Sequence, residues 1–168
     1  MTHDPTLLPI LESAWRMLTL ASADPRHGLH WPVLASAALD GGPDARTVVL
    51  RAVDTDTRTP QVHSDTDTGK LAQLARDPRV CLVFHDGPAR TQLRARGRAR
   101  IHVGDPVAQI AWQRLPAHSR ALYAGVERFA VLAIGVEHLD WLLLDPTGHR
   151  RAGFDWPAGQ PRAVSLRP

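Results

Sequence analysis

A strictly alternating run in the middle of the chain constrains the fold more than any other feature. From residue 93 to residue 101 the order is Leu-Arg-Ala-Arg-Gly-Arg-Ala-Arg-Ile. Successive side chains of a β-strand point to opposite faces, so the arginines share one face and the other residues share the opposite one. We therefore predict one long strand over residues 90–103, buried on one side, with a bulge at Gly97 where the strand bends.

The arginine row raises the question of a nucleic-acid partner. The formal net charge is +3 and the pI is near 9.9, and a row of arginines can bind phosphates. The chain lacks the interleaved aromatic residues on which single-stranded nucleic acids stack. We interpret the row as the solvated or interface side of a barrel strand and expect no nucleic-acid partner.

Turn residues and changes of hydrophobic period divide the rest of the chain. Apolar residues spaced three and four apart predict an N-terminal helix at residues 6–23, a short helix at 69–76, one from residue 105 to Leu115-Pro116 and another at 118–123. Strands are predicted at residues 31–39, 46–53, 61–64, 79–85, 90–103, 129–136, 141–144 and 149–156. The closing residues 157–168 hold three prolines, and we expect them to lie extended along the surface.

This order of elements predicts a mainly β fold with flanking helices, namely a six-stranded antiparallel barrel with helices packed outside. The length fits a single domain, residues 1–168, with the barrel at about residues 30–156. The sequence holds no apolar run long enough to span a membrane and no export signal, so we expect no membrane partner and a cytoplasmic location. Cys81 is the single cysteine and the histidines show no ligand spacing, so no metal site is expected.

The stretch from Arg46 to Lys70 carries the candidate functional residues. Arg46 and Arg51 bracket a predicted strand, and a helix begins after Asp67 or Thr68. A helix N-terminus offers unpaired N–H groups and about half a positive charge, which suits a phosphate. Lys70 is the only lysine among the twenty basic residues, which favours a need for a compact ammonium over the chance survival of one codon. We expect these three cations to converge on a phosphate, although a lone arginine at a strand end is more often a solvated cap.

Five short motifs in a fixed order resemble those of the pyridoxamine 5′-phosphate oxidase-like, FMN-binding split barrels. They are Arg46-Thr-Val-Val-Leu-Arg51, His63-Ser64, Thr68-Gly69-Lys70, Asp77-Pro78-Arg79 and Thr91-Gln92-Leu93-Arg94-Ala95-Arg96-Gly97. The resemblance covers roughly residues 30–155. It implies a split barrel, FMN as the cofactor, and a homodimer that holds the flavin between its two chains.

The resemblance also implies a role for each matched residue. Arg46, Lys70 and the helix start at Thr68 and Gly69 would hold the FMN phosphate, and Gln92 would bind the pyrimidine edge of the flavin. Arg51 would lie near N1 and C2=O, where a positive charge favours the reduced anionic flavin. The backbone around His63 and Ser64 would line the flavin edge, and Thr47, Val48, Val49 and Leu50 complete the first motif. Two departures are Gly69, where the family has arginine, and His63, where it has an aromatic residue.

The implied function is that of an FMN-dependent oxidoreductase whose substrate is an unknown small molecule. Family members that oxidise pyridoxamine phosphate hold its phosphate with Tyr, Arg and Ser, which align with Ala111, Leu115 and Ser119. Their Arg-x-His aligns with Glu137-His-Leu139, so we expect poor activity on that substrate. A flavin-free or haem-binding split barrel, a scaffold for another phosphorylated ligand, and a deazaflavin in place of FMN stay open as alternatives.

Overall fold

The computed structural model describes residues 2–168, and its strands form one antiparallel sheet of nine strands flanked by helices. The strands are β1 (Val33–Ala37), β2 (Pro43–Thr47), β3 (Leu50–Asp54), β4 (Thr59–Asp65), β5 (Arg79–Asp86), β6 (Thr91–Val103), β7 (Phe129–Leu143), β8 (Arg150–Asp155) and β9 (Arg162–Leu166). The helices are α1 (Leu8–Ala23), α2 (Gly69–Arg76), α3 (Pro106–Arg114) and α4 (Ala117–Arg120). The mainly β class is confirmed, with more strands than the six expected.

Strand β7 is the longest strand, and it pairs with three others. It pairs with β6 along its whole length, with β4 through residues 129–133 and with β8 through residues 138–143. The prediction of two separate strands here, at 129–136 and 141–144, was wrong. A bulge keeps β7 continuous, because Arg96 pairs with His138 whereas Gly97 pairs with Val136, which leaves Glu137 as the extra residue.

The bulge that the sequence predicted at Gly97 of β6 is instead on the neighbouring strand β7, opposite Gly97. Gly97 is buried, and a Cβ atom built on it would collide with the backbone carbonyl of Gly135. The two strands approach closely here because neither backbone carries a side chain between them. The alternation predicted for β6 is confirmed, since Leu93 and Ala95 are buried while Arg96 and Arg98 are exposed.

The strand predicted over residues 46–53 is two strands. β2 ends at Thr47 and pairs with β1, and β3 begins at Leu50 and pairs with β4. Between β2 and β3 the chain crosses from one part of the sheet to another. Two hydrogen bonds hold this crossing: the Val48 amide donates to Pro32 O at 2.9 Å, and the Leu50 amide donates to His30 O at 3.0 Å. Arg46 and Arg51 consequently belong to different strand pairs.

Both chain ends are tied to the sheet. The helix predicted at residues 6–23 begins with a 3₁₀ turn, Pro5–Leu7, and continues as α1. The C-terminal segment, expected to lie extended on the surface, instead forms β9 on the edge of β8, and the Asp4 amide donates to Ala163 O at 2.8 Å. No helix within residues 2–168 is long and apolar enough to cross a membrane.

Replacing Gly97 tests the close approach of β6 and β7. Gly97→Ala should lower the free energy of unfolding by about 2 to 4 kcal/mol, because the new methyl group meets backbone that cannot move aside. The matched control is Gly135→Ala on the facing strand, where the nearest atom to the new Cβ is Arg98 O at 3.8 Å. Urea unfolding of both variants measures the difference, and equal stabilities would contradict the packing described.

Candidate functional site

The first part of the site lies at the start of helix α2. It begins at Gly69 and ends at Arg76, as predicted, with Thr68 in an extended conformation just before it. The Thr68 hydroxyl donates to Asp65 O at 3.0 Å and makes no cap bond to the helix N–H groups. The N–H groups of the first two residues, Gly69 and Lys70, therefore stay available to an anionic ligand, whereas that of Leu71 donates to Thr68 O at 3.0 Å.

The guanidinium of Arg46 is hydrogen-bonded to a side chain of α2. Arg46 pairs across the ladder with the fully buried Leu34, so it lies on the inner face of β2. Its guanidinium donates to Ser36 Oγ at 2.7 Å and to Gln73 Oε1 at 2.9 Å, and it forms an ion pair with Asp44. These contacts fix the position of Arg46 relative to the helix.

Lys70 lies within reach of the charge of Arg46, whose guanidinium is bound to Gln73 on the same helix. Burial, followed by the charge of Arg46, lowers the pKa of the Lys70 ammonium, and only Asp65 acts in the opposite sense. The Lys70 Nζ donates to Thr68 Oγ1 at 3.2 Å. Two neighbouring cations at a helix N-terminus repel each other, and an anionic ligand between them would relieve that repulsion.

Arg51 lies elsewhere, at a bulge in β3. Leu50 pairs with Val62 and Ala52 pairs with Gln61, so Arg51 is the extra residue. Such a bulge re-aims a side chain. The Arg51 side chain lies beside His63 and lines a cavity, so Arg46 and Lys70 come together as predicted and Arg51 does not join them.

The cavity beside Arg51 has a volume of about 410 Å³, within the range of small-molecule sites. It lies between the β3–β4 hairpin, the end of α1 and helix α3 with the loop that follows. Its lining residues are Ser22, Arg51, Ala52, Gln61, His63, Val107, Ile110, Ala111, Arg114, Leu115 and Pro116.

His63 is a neutral imidazole in the wall of this cavity. Its ring meets the edge of Phe129 with the ring centroids 4.8 Å apart. Burial, and then the charge of Arg51, lowers the pKa of His63 to about 4. His63 Nδ1 and Arg51 Nε are both buried without a hydrogen-bond partner in the described part of the chain. Such unpaired polar atoms are costly unless a ligand satisfies them.

Strand β4 connects the two parts of the site. His63 and Ser64 are adjacent on this strand, so their side chains point to opposite faces. His63 faces the cavity, whereas Ser64 faces the start of α2, where its Oγ lies 3.1 Å from Thr68 Oγ1. A ligand that runs from the α2 N-terminus to the cavity would cross the end of β4.

Gln92 is not among the residues that line the cavity within one chain. It pairs with Leu142, whereas His63 pairs with Val131 at the other end of β7. The two pairs lie about eleven residues apart, or roughly 36 Å along an extended strand. Of the remaining matched residues, Thr47 is exposed, Val49 is half-buried, and Val48 and Leu50 lie in the core.

The structure adds residues that sequence reasoning missed. Gln73 lies three positions after Lys70, on the same face of α2, and that spacing was the available signal. Arg114 lines the cavity next to Leu115 and keeps a cation there, and Ala111 lies in the same wall. Ser119 is buried and is not among the lining residues.

The segment Glu137-His-Leu139, which aligns with the family's Arg-x-His, lies at the bulge of β7. Leu139 is fully buried and faces the core, while Glu137 is exposed. Neither residue lines the cavity beside Arg51. Across residues 2–168, no group of three or more His, Cys, Asp or Glu side chains is placed to hold a metal ion.

The fold defines the class of the protein, a split barrel. The sequence model of the pyridoxamine 5′-phosphate oxidase family matches residues 16–142. That is more than half of the chain, so the chain belongs to this family.

Individual relatives agree with this membership. The pyridoxine/pyridoxamine 5′-phosphate oxidase of Maricaulis maris (strain MCS10) is 41% identical over 79 residues, which are 46% of this chain and 35% of that protein. The chain thus spans about a third of the length of the curated relatives it matches.

Two solved structures share the fold. A pyridoxamine 5′-phosphate oxidase-related, FMN binding protein from Nostoc punctiforme gives a TM-score of 0.82 at 20% identity, covering 93% of this chain and 96% of that chain. PhzG from Burkholderia lata 383 gives 0.69 at 16% identity, covering 95% and 92%.

The burial of His63 predicts a pH dependence of stability. The unfolded chain binds a proton at His63 below about pH 6.5, whereas the folded chain resists it until about pH 4. The stability contributed by the neutral imidazole is complete above pH 6.5 and is lost as the pH falls toward 4, by on the order of 2 to 3 kcal/mol.

Urea unfolding of the wild type and of His63→Gln between pH 7 and pH 4 measures this loss. We expect the variant to lose less stability than the wild type over that range, since it has no imidazole to protonate. An NMR titration gives a direct check, and a His63 midpoint near 6.5 in the folded protein would contradict the burial described.

Proposed function

We propose that this chain binds FMN and acts as an FMN-dependent oxidoreductase on a small molecule. The observation that carries the proposal is the pair of close cations, Arg46 and Lys70, at the open N-terminus of α2. A phosphate close to a dianion would neutralise both cations and accept hydrogen bonds from the helix N–H groups.

The flavin ring would extend from there across the end of β4 toward the cavity. Ser64 and Thr68 would lie on the phosphate side, and His63 and Arg51 on the ring side. FMN supplies hydride transfer when it is bound. The contribution of Arg51 is a fixed positive charge near the pyrimidine ring, which favours the reduced anionic flavin, and the neutral His63 adds no second charge there.

The same proposal requires two chains. Gln92 and His63 pair with opposite ends of β7. A flavin bound at Lys70 and His63 would therefore be contacted by Gln92 from a partner copy. The exposed arginine row of β6 would then face the interface. The flavin site would be complete only in a homodimer.

Efficient oxidation of pyridoxine 5′-phosphate is not part of the proposal. Ala111 and Leu115 stand in the cavity wall where the family's Tyr and Arg align, and Ser119 is turned away from it. Arg114 restores one cation, but no tyrosine is among the lining residues. Loss of such contacts to a phosphate weakens binding by about 1.5 to 3 kcal/mol each.

A second candidate is a flavin-free split barrel whose ligand, such as a haem, does not depend on the phosphate site. It is favoured by the ion pair between Arg46 and Asp44, which already neutralises part of the phosphate site. Gly69, in place of a cation, weakens that site further. The absorbance spectrum and mass of the molecule released from the denatured protein decide between flavin and any other ligand.

Removing the Lys70 ammonium tests the placement of the phosphate. Lys70→Ala should lower FMN affinity about ten- to a hundredfold, because a charge-assisted contact to phosphate is lost. Arg76→Ala is the matched control, since it removes a cation from the other end of the same helix. Flavin absorbance after purification and titration with FMN measure both variants. Wild-type affinity in Lys70→Ala would place the phosphate elsewhere.

Co-expression of two damaged chains tests the shared site. Lys70→Ala and Gln92→Ala homodimers should each bind FMN weakly, and their mixture should regain about a quarter of the tight sites. The regain follows because half of the dimers are mixed, and each of these has one intact site.

The control mixture is Lys70→Ala with Arg46→Ala, which lie on the same side of the site and should regain none. Light scattering reports the oligomeric state in parallel. Tight flavin binding by a monomer, or no regain in the first mixture, would reject the shared site.

A further inference from the structure

The cavity beside Arg51 has an unusual balance of charge. Its lining includes two guanidinium groups, from Arg51 and Arg114, and no carboxylate side chain. Its imidazole, His63, is neutral above about pH 5, since burial lowers its pKa to about 4. This positive charge, with no carboxylate in the lining to balance it, favours an anionic ligand.

Apart from Arg114, the side of the cavity formed by helix α3 is apolar. Helix α3 contributes Val107, Ile110 and Ala111, and Leu115 and Pro116 continue the surface after the helix. Val107 is 37% exposed and Ile110 is 49% exposed, so this wall presents hydrocarbon to solvent. The short side chain of Ala111 leaves room for a planar ring against the helix.

The cavity keeps cations that suit a carboxylate but few of the family's aligned phosphate contacts. A guanidinium presents parallel N–H groups that match the two oxygens of a carboxylate. Ala111 stands where the family's tyrosine aligns, and Ser119, the one aligned phosphate ligand that the chain keeps, is buried outside the lining.

We propose that this cavity binds a flat, apolar ring system that carries a carboxylate, and that such a compound is the substrate class of the oxidoreductase. The proposal rests on the proposed flavin function, because the flavin ring would form the remaining side of the cavity. Arg51 and Arg114 select the carboxylate, and the apolar face of α3 holds the ring.

Calorimetric titration of the FMN-saturated protein tests the ligand class. The probes are 2-naphthoate, the neutral 2-naphthamide of the same shape, and pyridoxine 5′-phosphate. We expect 2-naphthoate to bind at least about tenfold more tightly than either other probe. Equal affinity for the amide, or tighter binding of the phosphate, would overturn the proposal.

Two variants on α3 locate the binding. Ile110→Glu should weaken 2-naphthoate binding about tenfold or more, since it places a negative charge on the apolar wall. Gln109→Glu adds the same charge at the neighbouring exposed position outside the lining and should leave the affinity within about twofold. Arg114→Gln should reduce the preference for the acid over the amide. Equal affinity in Ile110→Glu and Gln109→Glu would place the probe elsewhere.

The two proposals can fail separately. A protein that does not bind FMN but keeps the preference for 2-naphthoate would reject the flavin function and support the ligand class. A flavin-loaded protein that shows no such preference would reject only the ligand class.

Discussion

The pairing of β6 with β7 is the interaction on which the rest of the structure depends. β6 has one buried face over residues 91–98, whereas β7 is buried on both faces at its start, from Phe129 to Leu132. Their ladder extends from Thr91 to Val103 on β6. Because β7 is longer than its other partners, β4 pairs with its first half and β8 with its second half. A change of register in this ladder would move every side chain of β4 relative to the helices, and with it both parts of the candidate site.

The candidate site is a consequence of that register. β4 delivers alternate side chains to its two faces, so one strand supplies His63 to the cavity and Ser64 to the start of α2. The two parts of the site are unfavourable in the folded chain for different reasons. On the α2 side two cations are held close together, whereas on the cavity side two buried polar atoms lack partners. Both are local costs of the folded chain that a ligand could offset, which is the physical reason to assign both to binding.

Sequence reasoning succeeded where one physical signal dominated. The alternation of β6 and the period change at α2 each reflect a burial pattern that is local to the segment. It failed on β7, because the buried Val136 and Leu139 are three positions apart and this spacing breaks a period of two, while the bulge that absorbs the extra residue depends on β6. It also missed β9, whose pairing follows from the exposed edge of β8 rather than from its own composition.

The break between β2 and β3 was invisible for a related reason. Val48, Val49 and Leu50 favour a strand whichever neighbour they pair with, so propensity could not reveal that the chain changes partners there. The resemblance assigned Arg46 and Lys70 to one phosphate site, which stays a prediction, and it could not say how each side chain is held.

The structure separates the parts played by these two cations. The planar fork of Arg46 serves Ser36, Gln73 and Asp44 together, which an ammonium could not do in the same geometry. Lys70 has a single side-chain partner, Thr68, so most of its donors remain free for a ligand. On this account Arg46 holds the strand and helix α2 in place, and Lys70 binds the ligand. That division of roles would explain why a chain that otherwise uses arginine keeps a single lysine.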